Sequence, residues 1–191
     1  RKIWAQADVE VTFLAFNQFD SSSFQTIDGT TSSLIALRNA ENNGKNSSLN
    51  IINMWFLDDI GGGTSAGLAF IGSNGIAIAD EIFSLNRLDT IAHEIGHNFG
   101  LDHASANNDN FNLMRAGGSR FSPATIGDIT PDGSGFDQLN ESQVGTILTS
   151  EFITEADQLA EPSGIAAMLT SLLFMTAMIR AIPVSRARRR S

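Results

Sequence analysis

Cysteine is absent from all 191 residues. That excludes a disulfide framework and any metal site with a thiolate ligand. It does not assign a reducing compartment, because exported bacterial chains also do without disulfides. Tyrosine is absent as well, so no phenol can serve as a metal ligand. Basic residues are scarce over most of the chain. Up to Ala160 there are seven Lys or Arg against twenty Asp or Glu, and from Glu161 onward five Arg against one Glu. The first part is therefore an acidic domain with no basic face for nucleic acid. The basic end belongs to something else. Glycines 61–63 make a flexible loop rather than a phosphate cradle, since no Lys-Ser/Thr follows and no helix opens behind them. Neither an initiator Met nor an apolar leader precedes Arg1, which points to a removed start or a fragment. A hydrophobic content of 42% argues against disorder, and the length suits one domain with a sizeable core.

Histidine is also scarce, and its placement carries the chemistry. All three histidines lie within residues 90–103, at His93, His97 and His103. His93 and His97 are four apart, which on an α-helix leaves them roughly 40° apart on one face. Two imidazoles can then point at one ion. Glu94 flanks the same face. A helix cannot return a residue two turns further on to the same point, so the chain must turn first. Gly100 suits that turn because it adopts φ > 0 without a Cβ clash. His103 then closes a tripod from outside the helix. Three neutral imidazoles beside a carboxylate are the makings of a catalytic Zn2+ site, which uses three protein ligands and keeps a fourth position open. Glu94 is placed to take a proton from water and pass it to a leaving group.

The full His-Glu-x-x-His-x-x-Gly-x-x-His pattern resembles the metzincin metalloproteases. The matching residues are His93, Glu94, His97, Gly100 and His103. Met114, within the run from Asn112 to Arg115, fits the clan's methionine turn, the floor of the site. The wording around the histidines is most similar to the reprolysin (adamalysin) branch, although Ala104 stands where that branch usually has Asp. Ala116 stands where astacin- and serralysin-type members place Tyr. The resemblance implies an α/β fold: a twisted, mixed, mostly parallel sheet with one antiparallel edge strand, an active-site helix and a C-terminal helix. It also implies that Gly67, Leu68, Ala69 and Phe70, on the edge strand, hold substrate main chain, a mode that tolerates many side chains. An ordinary sheet strand is an equal alternative for those four.

Along the chain, residues 7–16 alternate and read as a first strand. Residues 30–42 read as a helix stopped at Asn43-Gly44, and 49–57 as a buried strand. Residues 66–71 and 75–83 read as strands joined by an Asn74-Gly75 turn, and so as antiparallel neighbours. Asn46-Ser47-Ser48 matches a sequon but is read as loop chemistry. Asp89 is expected to N-cap the histidine helix, with Asn86 as competitor. Residues 128–137 have the look of a calcium loop, yet Leu139 stands where the closing Glu is needed, so a solvated turn is preferred over Ca2+. Asn140 and Gln143 form a capping-box pattern opening a last helix, with Val144, Ile147 and Leu148 facing inward.

Residues 165–184 are mostly apolar and long enough as a helix to span about 30 Å, a bilayer's hydrocarbon width. Arg180 can snorkel near their end, and Arg186, Arg188, Arg189 and Arg190 follow, placing that end on the cytoplasmic side. A C-terminal core helix is the alternative. Glu161-Pro162-Ser163, the apolar run and the arginine cluster together resemble the PEP-CTERM sorting signal of bacteria, with Ala160 in place of the first Pro. That implies processing by an exosortase, with the tail anchored in the membrane beforehand. The expectation is thus a zinc endopeptidase domain over 1–157 and a sorting or transmembrane segment over 158–191, exported to the outer face of the membrane, the cell envelope or the extracellular matrix, with polypeptide substrates. A non-catalytic zinc-binding envelope protein and a zinc amidase acting on cell-wall peptides are the alternatives.

Overall fold

The computed structural model describes residues 1–85 and 87–154, so the expected tail over 158–191 and the competing cap Asn86 lie outside the described residues. In chain order the elements are β1 (Thr26–Ile27), α1 (Thr31–Asn39), β2 (Met54–Leu57), β3 (Asp59–Ile60), β4 (Gly67–Ala69), β5 (Ile76–Ala79), α2 (Glu81–Ser84), α3 (Thr90–Asn98) and α4 (Glu141–Leu148). Among the described residues no helix is long and apolar enough to cross a membrane.

Strand β5 organises the domain. It lies between β2, which it pairs in parallel, and β4, which it pairs antiparallel with Ala69 opposite Ile76. All four of its residues are buried, as a strand covered on both faces requires. Alternation then divides them. Ile76 and Ile78 pack with Ile95 of α3, Leu101 and Met114. Ala77 and Ala79 pack with Leu34 and Leu37 of α1 and with Trp55 and Leu57 of β2. Helices α1 and α3 therefore cover opposite faces of a mixed three-stranded sheet. The small alanines leave room for Trp55, whose indole N–H donates to Asn43 O at 2.9 Å. A second parallel pair, β1–β3, stands apart from this sheet.

Several expected bounds shift, for local reasons. Residues 7–16 form no strand. Trp4–Ala7 is a 3-10 turn closed by Asp8 at φ 54°, a left-handed residue that breaks the extended run at its start. Trp4 is buried edge-on against Phe99, with ring centroids 5.0 Å apart. Val9 and Val11 pack on the core, whereas Phe13, Leu14 and Phe16 are exposed. Alternation sorts side chains between faces but cannot supply a neighbouring strand. The expected strand over 49–57 shrinks to β2 because the Asn53 N–H is taken by Asn74 Oδ1 at 2.8 Å. The strand begun at residue 75 ends at Ala79, and α2 follows. Helix α1 is capped by Thr30, whose hydroxyl accepts from Ser33 N, and its last carbonyls, on Leu37 and Arg38, accept from Asn43 Nδ2 at 2.7 and 3.0 Å. The Asn140–Gln143 capping box on α4 forms as expected. Ile147 is buried, but Leu148 is 53% exposed and points away from the core. Gln143 takes the inward place instead.

Two helical glycines differ in their surroundings. A Cβ at Gly96 of α3 would sit 2.5 Å from Met114 Sδ, and Met114 is fully buried; a Cβ at Gly145 of α4 meets nothing within 4 Å. Gly96→Ala should destabilise the fold by about 1–3 kcal/mol through overpacking, whereas Gly145→Ala should stabilise it by about 0.5–1 kcal/mol through helix propensity. Denaturant midpoints of the two variants test the pair of opposite signs.

Candidate metal centre

Helix α3 carries His93, Glu94 and His97 on its buried side. Its end is a Schellman turn: Gly100 sits at φ 99°, Leu101 N donates to Gly96 O at 3.0 Å, and Gly100 N donates to His97 O at 2.9 Å. The chain reverses there. Asp102 then caps a 3-10 turn, His103–Ala106, accepting from Ser105 N at 2.8 Å, and this turn carries the third histidine back to the first two. One ring nitrogen from each of His93, His97 and His103 lies within 4.8 Å of the others. His93 Nε2 and His103 Nε2 are 3.1 Å apart. The triad expected from the motif is thus assembled, with His93 and His97 buried and His103 exposed at its open side.

Main-chain carbonyls orient two of the rings. His93 Nδ1 lies 2.7 Å from Leu113 O, and His97 Nδ1 lies 2.7 Å from Leu101 O. A carbonyl only accepts, so the His97 Nδ1 carries the proton and its Nε2 keeps its lone pair for a metal, whereas His93 Nδ1 faces both the Leu113 carbonyl and the donor Arg120 Nη1. Burial holds His93 down to about 2, with Arg120 adding to the effect and the Leu113 hydrogen bond opposing it. Burial also lowers His97 and His103. Neutral imidazoles are the ligand form, so the donors and their spacing fit Zn2+. Burial raises Glu94 to about 8, against the pull of Arg120.

Neighbouring elements hold this arrangement. Strand β4 runs beside Glu94 so closely that a Cβ on Gly67 would lie 2.6 Å from Glu94 Cγ and Oε1. The β4–β5 hairpin is stapled to α3: Asn98 Nδ2 donates to Phe70 O at 2.9 Å and to Gly75 O at 3.3 Å, and Gly72 N donates to His97 O at 2.8 Å. Gly67, Leu68 and Ala69 lie on the edge strand of the sheet. Phe70 lies just beyond it, with its N–H on Gly75 O and its carbonyl on Asn98. Met114 packs against Gly96 of α3, and its N–H donates to Asn112 Oδ1 at 2.9 Å. Asn112 and Gln143 exchange amide hydrogen bonds of 2.8 and 2.9 Å, and Gln143 Nε2 reaches Ser105 Oγ at 2.9 Å. Helix α4 is thereby tied to both the methionine turn and the turn bearing His103.

Asp89 stands at the start of α3 but does not cap it with its side chain. Its carboxylate instead accepts from Arg120 Nε at 2.7 Å, in a pair with almost no exposure. Arg120 had no signal in the sequence, because its partner is 31 residues away. The carboxylates weighed for calcium are engaged otherwise: Asp128 accepts from Thr125 N at 2.8 Å, and Asp132 pairs with Lys2 at 2.7 Å. Asp137 of the same segment is fully buried, and neither carboxylate oxygen has a hydrogen-bond partner.

The family model for the reprolysin-like metallo-peptidases of family M12B matches residues 6–104. The chain therefore belongs to that metallopeptidase family, and its histidine triad is able to bind zinc. No curated protein and no solved structure matches it. The family match ends one residue beyond His103, so Met114, Arg120 and α4 lie outside the matched residues.

Burial, and then repulsion from Asp89, raise Asp137 from 3.8 to about 7. Between these values the unfolded chain releases the proton and the folded chain keeps it. The stabilising contribution is complete below 3.8 and lost as pH rises through about 7. The interval corresponds to at most ~4 kcal/mol. Asp137→Asn, which also tolerates the left-handed φ of 56°, should gain stability over wild type as pH rises from 4 to 8. Unfolding midpoints across that range check this; a difference independent of pH would contradict it.

Proposed function

We propose that this protein is a zinc endopeptidase whose water nucleophile is activated by Glu94. The observation that carries the reading is the convergence of three neutral imidazoles beside Glu94, with an edge strand packed against that same carboxylate. An ion held by His93, His97 and His103 supplies a lowered pKa for water and polarisation of a scissile carbonyl. The protein's own groups do the rest. Glu94, on the helix turn between His93 and His97, is placed to accept a proton from the attacking water and deliver it to the departing amine. Gly67, Leu68 and Ala69 present main chain on the sheet edge, where an extended peptide can add as a further strand and lie across the site. Phe70, with its main chain engaged in the hairpin, closes that strand rather than binding substrate.

The division into a catalytic domain over 1–157 and a sorting segment over 158–191 belongs to the same proposal. So do export to the envelope or extracellular matrix of a bacterium and processing of the tail by an exosortase-type enzyme. The sequence features that support them are the apolar run over 165–184 and the arginines that follow.

Two variants test the catalytic reading on the full-length protein. Glu94→Ala should retain zinc, measured by metal analysis, and lose at least ~10²-fold in cleavage of unfolded casein. Gly67→Ala should also retain zinc while displacing Glu94, with a loss of about 10²-fold. Zinc binding without any Glu94-dependent cleavage of casein would contradict the endopeptidase assignment. Cleavage of purified peptidoglycan in its place would favour a cell-wall amidase; turnover of neither would favour a non-catalytic zinc protein.

A further inference from the structure

We propose that Arg120 is a positioning residue for the metal centre, holding the methionine turn and the first turn of α3 in the register that aims the His93 ring. The inference rests on the triad binding a metal ion. Arg120 is 7% exposed and lies beyond the family-matched residues. Its guanidinium meets three parts of the site at once. Nε donates to Asp89 Oδ2 at 2.7 Å, and the Asp89 carbonyl accepts from His93 N at 2.9 Å, so this contact fixes the turn of helix from which His93 projects. Nη1 donates to Leu113 O at 3.2 Å and Arg115 O at 3.0 Å, the carbonyls on either side of Met114. The same Nη1 lies 2.5 Å from His93 Nδ1.

The Leu113 carbonyl is the hinge of this arrangement. It accepts from Arg120 Nη1 at 3.2 Å and lies 2.7 Å from His93 Nδ1, so one carbonyl meets both groups. Arg120 thus holds the carbonyl against which the His93 ring is set. A guanidinium has a planar fork of five donors and can serve Asp89 and both turn carbonyls. A lysine in its place can neutralise Asp89, but its single ammonium cannot span the carboxylate and both carbonyls. A role confined to charge balance in the core therefore predicts that lysine substitutes fully, whereas a positioning role predicts that it does not.

The test compares full-length wild type with Arg120→Lys in three measurements: the thermal midpoint of the metal-free protein, zinc affinity by competition with a chromophoric chelator, and the visible absorption of the Co2+-loaded protein. The expected result is a metal-free midpoint close to wild type, zinc affinity weaker by about 10- to 100-fold, and an altered Co2+ spectrum. Wild-type affinity and spectrum in Arg120→Lys would overturn the proposal. Should that variant not fold, Asp89→Asn with Arg120→Gln removes both buried charges together; weakened zinc binding in that folded double variant supports the proposal, and wild-type binding overturns it. Failure of the wild type itself to bind zinc would instead overturn the metal-site reading on which the proposal stands.

Discussion

Two hydrogen bonds, from His93 Nδ1 to Leu113 O and from His97 Nδ1 to Leu101 O, determine what this site can be. An imidazole has two nitrogens and, when neutral, one proton. At His97 the Leu101 carbonyl fixes that proton on Nδ1 and leaves Nε2 as a lone-pair donor. Both acceptors are main-chain carbonyls, so the ligand set is only as well defined as the backbone that presents them. The Leu101 carbonyl follows directly from the Schellman turn at Gly100. The Leu113 carbonyl is twenty residues past His93 in the chain and must be brought in by tertiary contacts. The remainder of the domain serves to keep these two carbonyls where they are.

Space left by missing side chains does part of this. Gly96 allows Met114 to lie directly against α3, which brings the turn carrying Leu113 within reach of His93. Gly67 allows the sheet edge to approach Glu94. At each position a single Cβ would have to displace a group at the site itself. In close-packed interiors such displacement is not absorbed cheaply.

Buried polar groups do the rest. Asn112 and Gln143 satisfy one another and join α4 to the methionine turn, while Gln143 and Asn140 also hold Ser105 beside His103. Asn98 joins the C-terminal end of α3 to the hairpin, and Asp89 with Arg120 joins its beginning to the segment after Met114. Each group would be costly if left unpaired in the interior, so each restricts its surroundings to a narrow set of arrangements. Asp137 differs from these groups: neither of its carboxylate oxygens has a hydrogen-bond partner, and burial with repulsion from Asp89 raises its proton affinity.

The triad, Glu94 and the turn at Gly100 were legible from residues 93–103 because helix periodicity and left-handed glycine geometry are local properties of a chain. Thr30, Asn43 and the Asn140–Gln143 box were legible or nearly so for the same reason, since caps act within a few residues of their own position. The antiparallel pairing of β4 with β5 followed from a short connection. What the chain could not announce was partnership at a distance. Residues 7–16 carry the alternation of a strand but find no strand beside them. Asp89 has the chemistry of a cap and is drawn away by an arginine 31 residues later. Leu148 fits an inward position by period, yet the polar Gln143 takes the buried side because Asn112 is there to receive it. Residue identity and spacing thus determined which atoms can bind a metal, through bond geometry confined to one helix and one turn. Only the tertiary structure decided which carbonyls, carboxylates and guanidinium orient those atoms, because such contacts depend on segments that meet only once the core has closed.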